Sequence, residues 1–568
     1  MNGQSKMRHT LSRQRPLALC LACAVGAGIM TVAPATHSAV IAPVDGLASP
    51  RLPRIRGPRI SVPGDLPAGS PLRAAWEQRL SDPLSARPAA TIPVTNCDDS
   101  GPGSLRDAVT NAVDGDTIDM TSLTCSTITL TTGSLGTFVN DVTLNGPGSH
   151  DLAISGNYAS SVLEHVGYGT LSIDGVTIEN GYKYGSSPRG GCIFSEGTVH
   201  LSDVALQGCY ALHAPYASPY PALGGAVYAA EGLSLSDSVV TNSKAYSLDT
   251  DARGGGLFSG FNVTLYQSIV SSNTTGSGGV GSYTLGGGIY ALVGVSLSGG
   301  SVEGNAARAY YASTTAKGGG IYAASDLTSV FGNVSGNSVA SVGTHAYGGG
   351  IYALNGITIG YSTIADNYSS SIAGGLVVQG SPSIGMLTIG NSTISGNVAS
   401  GAAGGVFCTL PASVNNSTIA FNTENSNSGS AFVAAGLTVV NQPLTLQSSI
   451  IAQNYNNEYP AYRYSDLSGA VSVSGANNLV RRSYGTPLPV DTITGTDPLL
   501  LPLADNGGPT RTHALSPFSP ALDVGNDNSG YANDQRGDGY PRVVGANADI
   551  GAFEGTSPDD IFGDGFDP

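Results

Sequence analysis

The six residues GGGIYA occur three times, at Gly286–Ala291, Gly318–Ala323 and Gly348–Ala353. Widening the phrase to Gly-Gly-x-apolar-aromatic gives a column of apolar residues at Ile193, Val227, Leu257, Ile289, Ile321, Ile351, Leu376 and Val406. Successive members lie 34, 30, 32, 32, 30, 25 and 30 residues apart. A second marker keeps step with the first: an asparagine that closes VVTN, IVSSN, SVEGN, NVSGN, TIADN, TISGN, TIAFN and IIAQN. These are Asn242, Asn273, Asn305, Asn337, Asn367, Asn397, Asn422 and Asn454. Two markers locked together at this period describe a solenoid, in which each repeat packs only on its neighbours.

Within one repeat, GGGIYALNGITIGYSTIADN, the apolar residues alternate and no helical period occurs. Ile351 and Ala353 share one strand face, Ile357 and Ile359 another, and Ile364 centres a third short strand. The predicted fold is all-β: a right-handed parallel β-helix of three-stranded coils, with coils about 4.8 Å apart. Every coil turns the same corner. Glycine there supplies positive φ and lets one backbone approach the next. The asparagines fall above one another and predict a hydrogen-bonded amide ladder along the axis. The sequons at Asn273 and Asn367 therefore read as buried ladder positions, not glycan acceptors.

The domain reading follows from changes in texture. Residues 1–39 are read as an export signal: Lys6, Arg8, Arg13 and Arg15 precede the apolar run Leu17–Ala33, with small residues at Ala35 and Ala39. A membrane anchor is the alternative, disfavoured by the segment's shortness. No later stretch is long and apolar enough to span a bilayer. Residues 40–90, rich in Pro and Arg, form a linker with one short helix around Trp76. Residues 91–140 form an N-terminal cap, whose helix carries Leu105, Ala108, Val109 and Ala112 on one face and Ser104 as its cap. The β-helix spans 141–470, a different module spans 471–555, and 556–568 is an acidic-aromatic tail.

Removing the signal leaves Cys97, Cys125, Cys192, Cys209 and Cys408. Export permits disulfides. Cys97 and Cys125 flank the capping helix; Cys209 stands at a ladder position and Cys192 in the glycine corner of the same coil, so bridges 97–125 and 192–209 are predicted. Cys408 is then the odd thiol.

The segment Asp497–Glu554, with LADNGGPTRTHAL and ADIGAFE, resembles the choice-of-anchor Q domain of exported bacterial β-helix proteins. NCDDSGPGSLRDAV resembles the N-terminal cap of the same proteins. The repeats are similar to those of polymorphic outer-membrane proteins and of the pectate-lyase-like superfamily. The resemblance implies a secreted or cell-surface location and implies no reaction.

The net charge of −16 argues against a nucleic-acid partner. Lyases and hydrolases on such a fold need clustered carboxylates or a carboxylate–base set. Between Asn157 and Asn454 the chain has only 13 acids and 6 bases, and the acids do not recur at the coil step. Asp237 meets Gln267 one coil on. Asp249, Asp251 and Arg253 form the densest cluster and read as a solvated loop, while His213 and His345 stand far from any acid in sequence. No catalytic residues and no metal ligands are assigned. Asp523–Gly530 and Asp534–Gly539 hold oxygens suited to a structural Ca²⁺ but lack the EF-hand pattern.

The residue after each core position points away from the core. In six successive coils it is Phe194, Tyr228, Phe258, Tyr290, Tyr322 and Tyr352. This column is the candidate ligand-binding face, for an extracellular glycan or a surface protein, unless loops such as Ala307–Lys317 cover it. The resulting expectation is a non-catalytic adhesin or glycan-binding scaffold. The alternative is an extracellular polysaccharide lyase or hydrolase.

Overall fold

The computed structural model describes residues 88–215, 219–425, 433–457 and 465–555. The signal segment, nearly all of the linker including Trp76, and the tail 556–568 lie outside the described residues. The chain is a right-handed parallel β-helix. Its strands stack into sheets of 26, 13, 10 and 5 members. In the 13-stranded sheet Ile193, Val227, Leu257, Ile289, Ile321, Ile351, Leu376 and Val406 pair in register. The column continues to Leu437 and Leu467 on one side and to Leu163 and Leu135 on the other. Each repeat therefore places the same residue above its counterpart, and a single apolar core runs from Val94 to Val480.

The coils carry more than three strands. In the repeat from Gly348, strand Ile351–Ala353 belongs to the 13-stranded sheet, and Gly356–Gly360 with Thr363–Ala365 to the 26-stranded sheet. A further strand, Tyr368–Ser369, belongs to the 10-stranded sheet, and five coils add a two- or three-residue strand before the glycines, such as Ala346–Tyr347. These extra strands are short and built from small or polar residues (KAYS, TTGS, AARA), so they leave no clear alternation to read.

The glycine corner has a physical account at each position. Gly286 has φ +65°. A Cβ on Gly287 would lie 2.0 Å from the carbonyl oxygen of Gly319, and one on Gly288 would lie 2.8 Å from the amide carbon of Asn305. The third glycine and the asparagine of one coil thus touch, and the two sequence markers are the two halves of one corner. In the coil of Cys192 and Cys209 these two positions are joined covalently by a disulfide. A second disulfide joins Cys97 and Cys125, and Cys408 is free and buried.

The amide column runs from Asn273 through Asn305, Asn337, Asn367, Asn397 and Asn422 to Asn454, each buried. Asn337 is representative: its Nδ2 donates to Asn367 Oδ1 at 3.0 Å and to the Val302 carbonyl at 2.8 Å. Its Oδ1 accepts from the backbone and the amide of Asn305, both at 3.0 Å. All the hydrogen-bonding capacity of the amide is used. Asn454 ends the column on Asp466 Oδ1 at 2.9 Å. Asn242 is not a member. It stands one residue early at φ +52°, and Ser243 takes the rung, its backbone N–H donating to Asn273 Oδ1. VVTN is one residue shorter than IVSSN, so its asparagine falls opposite Ser272, one position before the rung.

Strand stacking extends past 141–470 at both ends. Thr91–Pro93, Asp116–Asp119 and Val142–Asn145 already form a parallel ladder. At the other end Leu479–Val480 pairs with Ile493–Thr494. The helix α1, Leu105–Asn111, adds Leu105, Ala108 and Val109 to the core, and Ser104 Oγ accepts from Asp107 N–H at its start. From Asp497 the chain turns back as an irregular strap along the flank of the 26-stranded sheet. Gln535, fully buried, donates to Thr363 Oγ1 and accepts from Thr393 Oγ1. His513 reaches Ser395, and Asn526 N–H donates to Ser448. The segment 471–555 is therefore the last coils followed by this strap, which shares its packing with the β-helix.

Candidate functional site

Phe194, Tyr228, Phe258, Tyr290, Tyr322 and Tyr352 stand in register on the outer side of the 13-stranded sheet. Neighbouring rings stack 5.0–5.4 Å apart and within 10° of parallel. Yet from Tyr228 to Tyr352 none is more than 8% exposed. Leu223, Leu285, Tyr347 and Ile372, on or beside the small five-stranded sheet, pack over them. Arg189, Arg253 and Lys317 approach the rings of Tyr228, Tyr290 and Tyr352. Lys317 Nζ donates to Tyr352 Oη at 2.9 Å, and that hydroxyl donates to Gln379 Oε1 at 2.7 Å. Burial pushes the Tyr322 hydroxyl up to about 12 and lowers Lys317. Alternation along a strand takes a ring out of the core, but here a second layer of chain lies outside it. The expectation of an open aromatic face at these six residues is thus corrected: the column is an internal spine.

A different face carries exposed aromatic rings. The 10-stranded sheet includes Tyr182–Gly185, Tyr210–His213, Lys244–Ser247, Thr274–Ser277 and Ala306–Ala309. Its outward residues form two rows, Tyr182–Tyr210–Lys244 and Tyr184–Leu212–Tyr246. Tyr158 stacks on Tyr210 at 5.9 Å, Tyr182 on Tyr184 at 6.4 Å, and Tyr310 meets Tyr246 edge-on at 5.9 Å. Tyr158 and Tyr184 are each more than half exposed. An open depression of about 480 Å³ is lined by Tyr158, Tyr182, Tyr210, Leu212, Lys244 and Tyr246. The floor is held rigid by parallel backbone ladders, so the rings keep a fixed spacing. The signal lay in the sequence just past each ladder position (GYKY, CYALH, SKAY, ARAYY), but it is confined to a few coils and was overshadowed by the longer column.

Among the groups that suggested chemistry, Asp251 and Arg253 are engaged in structural bonds. Arg253 pairs with Asp251 at 2.7 Å, and Asp251 also accepts from the N–H of Tyr283. His213 is buried with Nδ1 3.1 Å from Asp249 Oδ1, so the two are neighbours across one coil despite their distance in sequence. That nitrogen is not aligned for a hydrogen bond. His165 is buried against Ser195 and the Val139 and Asn140 carbonyls, and burial lowers its pKa.

A second cavity, of about 410 Å³, borders Arg536, Tyr540, Phe553 and Glu554 in the strap. Burial pushes Glu554 up to about 7, although Arg542 pairs with it at 2.7 Å. Its oxygens also accept from the N–H groups of Val544 and Asp549. Asp534, in the segment whose oxygens suit a structural Ca²⁺, is turned to Arg536 and to the backbone of Glu554. Among the described residues no group of three His, Cys, Asp or Glu side chains could hold a metal ion. No helix among them is long and apolar enough to cross a membrane.

No protein-family model matches the chain, and no curated protein matches it in sequence. Among solved structures, the crystal structure of pectate lyase Pel9A is similar at a TM-score of 0.32 and 12% identity, over 82% of this chain and 98% of that one.

Proposed function

We propose that the chain is a secreted or cell-surface rod that holds an extended glycan on its exposed tyrosine face and does not cleave it. The observation that carries this reading is the group Tyr158, Tyr182, Tyr184, Tyr210 and Tyr246, presented on a rigid parallel sheet around one open depression. Flat rings at fixed spacing suit the apolar faces of sugar rings. The two disulfides and the signal-like N-terminus support an extracellular site of action. The resemblance of 497–554 to the choice-of-anchor Q domain fits a surface protein, with the strap bound to the rod it would tether.

The test uses the mature full-length chain and a polysaccharide panel, with and without Ca²⁺. Binding, unsaturated products and new reducing ends are followed together. Binding without turnover, lost in a Tyr184→Ala/Tyr246→Ala variant that melts like wild type, is the expected result. Turnover of any polysaccharide overturns the non-catalytic reading in favour of a lyase or hydrolase. Binding that ignores the tyrosine substitutions removes this face as the site.

A further inference from the structure

Four successive coils carry an apolar ridge where the chain leaves the 10-stranded sheet. Ser247, Ser277, Ala309 and Ser341 are register partners at the ends of their strands. The residues that follow, Leu248, Gly278, Tyr310 and Val342, therefore stand one above another. The N–H groups of the last three donate to the Ser247, Ser277 and Ala309 carbonyls of the coil before. Tyr311 lies over the glycine: a Cβ on Gly278 would lie 3.4 Å from its ring. Val280 and Tyr283, on the loop that starts at Gly278, widen the ridge. Leu248, Val280, Tyr283, Tyr310, Tyr311 and Val342 are each between 43% and 85% exposed. The loops 248–251, 278–283, 310–314 and 342–345 contain no Lys, Arg or Glu. Their two acids are turned to other groups, Asp249 to His213 and Asp251 to Arg253. Lys244 and Arg308 lie on the sheet strands before the loops. In a chain with a net charge of −16, this is an apolar, charge-poor patch of a size that single molecules seldom leave open.

We propose that this ridge is a two-fold interface between two copies of the chain, packed side by side with their rods antiparallel. The inference stands apart from the glycan reading: Tyr310 meets Tyr246 edge-on, but no ridge residue lines the tyrosine depression. Along the axis the ridge reads the same in both directions: aliphatic Leu248, the Tyr311 ring over Gly278, the Tyr310 ring, aliphatic Val342. A two-fold axis through the middle of that row sets Leu248 of each copy on Val342 of the other, and Tyr311 on Tyr310. An isologous contact requires this self-complementarity, because one patch serves as both sides. A contact with an unrelated protein makes no such demand. The size fits as well. A half-exposed tyrosine offers about 100 Å², and the six side chains together offer on the order of 600 Å². The Gly, Ser and Thr of the same loops supply a polar rim. A stable interface takes about 800 Å² from each partner. The row spans three coil steps, about 14 Å. Contact is thus confined to the middle coils, and two acidic rods meet where their surface carries least charge.

The test is sedimentation velocity on the mature full-length chain, over a series from about 1 to about 100 µM. Wild type is expected to pass from monomer towards dimer across that series. Val342→Asp and Leu248→Lys each place a charge against an aliphatic side chain of the other copy, and each should weaken the dimer by about tenfold or more. A general charge effect on so acidic a chain would move these two variants in opposite directions, and that outcome overturns the proposal. Mixed one to one, the variants should pair again. The two-fold axis then sets the introduced carboxylate on the introduced ammonium at one contact and keeps Leu248 on Val342 at the other. Wild type that stays monomeric to about 100 µM overturns the proposal and leaves the ridge to a different protein. So does a dimer that neither variant weakens, or a pair of weakened variants that stay apart when mixed. Both positions are exposed, so the variants should melt like wild type. If one does not fold, the wild-type series and the other variant decide the matter.

Discussion

At the scale of the residue, the amide column shows how repetition turns a weak interaction into a shared one. Asn337 bonds to the coil before it and the coil after it, so Asn337→Ala leaves the backbone N–H and amide of Asn305 without their acceptor. A loss of about 1–3 kcal/mol is expected, read as a lowered melting temperature. Asn242→Gly is the control. It lies outside the column at positive φ, where glycine is at ease, and the melting temperature should not fall.

Asp466, at the column's end, is a carboxylate in an otherwise amide row. Burial pushes it up to about 7, and its Oδ2 has no hydrogen-bond partner. A carboxyl whose folded pKa exceeds its unfolded value binds more protons when native. Its contribution to stability is full at low pH and is lost as pH climbs through about 7. Asp466→Asn keeps the Oδ1 acceptor and removes the charge. It should raise stability at pH 8 by on the order of 1–3 kcal/mol and flatten the melting temperature between pH 5 and 8. A variant with the wild-type pH profile would show that Asp466 does not titrate in this range.

At the scale of the element, the strap explains strained residues in the coils it crosses. Phe331, Tyr361 and Phe421 have φ of +53°, +53° and +57°, a region that bulky side chains seldom adopt. Tyr361 meets Tyr531 edge-on and Phe421 meets His513, while a Cβ on Gly537 would touch Phe331. These contacts offset strain of about 1–3 kcal/mol per residue. The strap is secured by Arg542 and Glu554, both buried. Glu554→Ala leaves the guanidinium buried and unpaired, which typically costs about 3–5 kcal/mol. Faster proteolysis within 497–555 and faster amide exchange in Thr363–Ala365 are expected. Unchanged proteolysis would mean that the strap is held elsewhere.

At the scale of the whole molecule, the rod is a one-dimensional stack with a core that runs without interruption from Val94 to Val480. Cys408 sits inside that core at 0% exposure, and burial pushes its thiol up to about 12. It should resist thiol reagents in the native state and react at the rate of unfolding. Rapid labelling without denaturant would reveal local opening of the central coils. Both disulfides lie toward the N-terminal end of the described stack. Reducing them should cost about 3 kcal/mol each and lower protection there first. The stacked spine from Phe194 to Tyr352 belongs to this scale too. A Tyr290→Ala/Tyr322→Ala/Tyr352→Ala variant is expected to lose stability.

Much of the fold was legible because a stacked coil repeats its corner chemistry. The apolar column, the paired glycines and the asparagines from 273 to 454 each recur wherever one coil must meet the next, and Cys192 and Cys209 occupy the same two corner positions. That is local information, carried by spacing alone. The tertiary structure decided what lies outside the core. Strand alternation says that Tyr290 leaves the core, but whether it meets water depends on segments that return over it, including Leu285 and the Arg253 side chain. The tyrosines of the exposed face come from coils of unequal length and from Tyr158, which precedes the clear repeats, so no period joins them. Lys244 and Arg308 are 64 residues apart in sequence and come onto one sheet, with a single coil between them, only when the coils stack. Periodicity determines the stack because each coil repeats the demands of the last. The face that meets a ligand depends on which loops fold back, and no repeat encodes that.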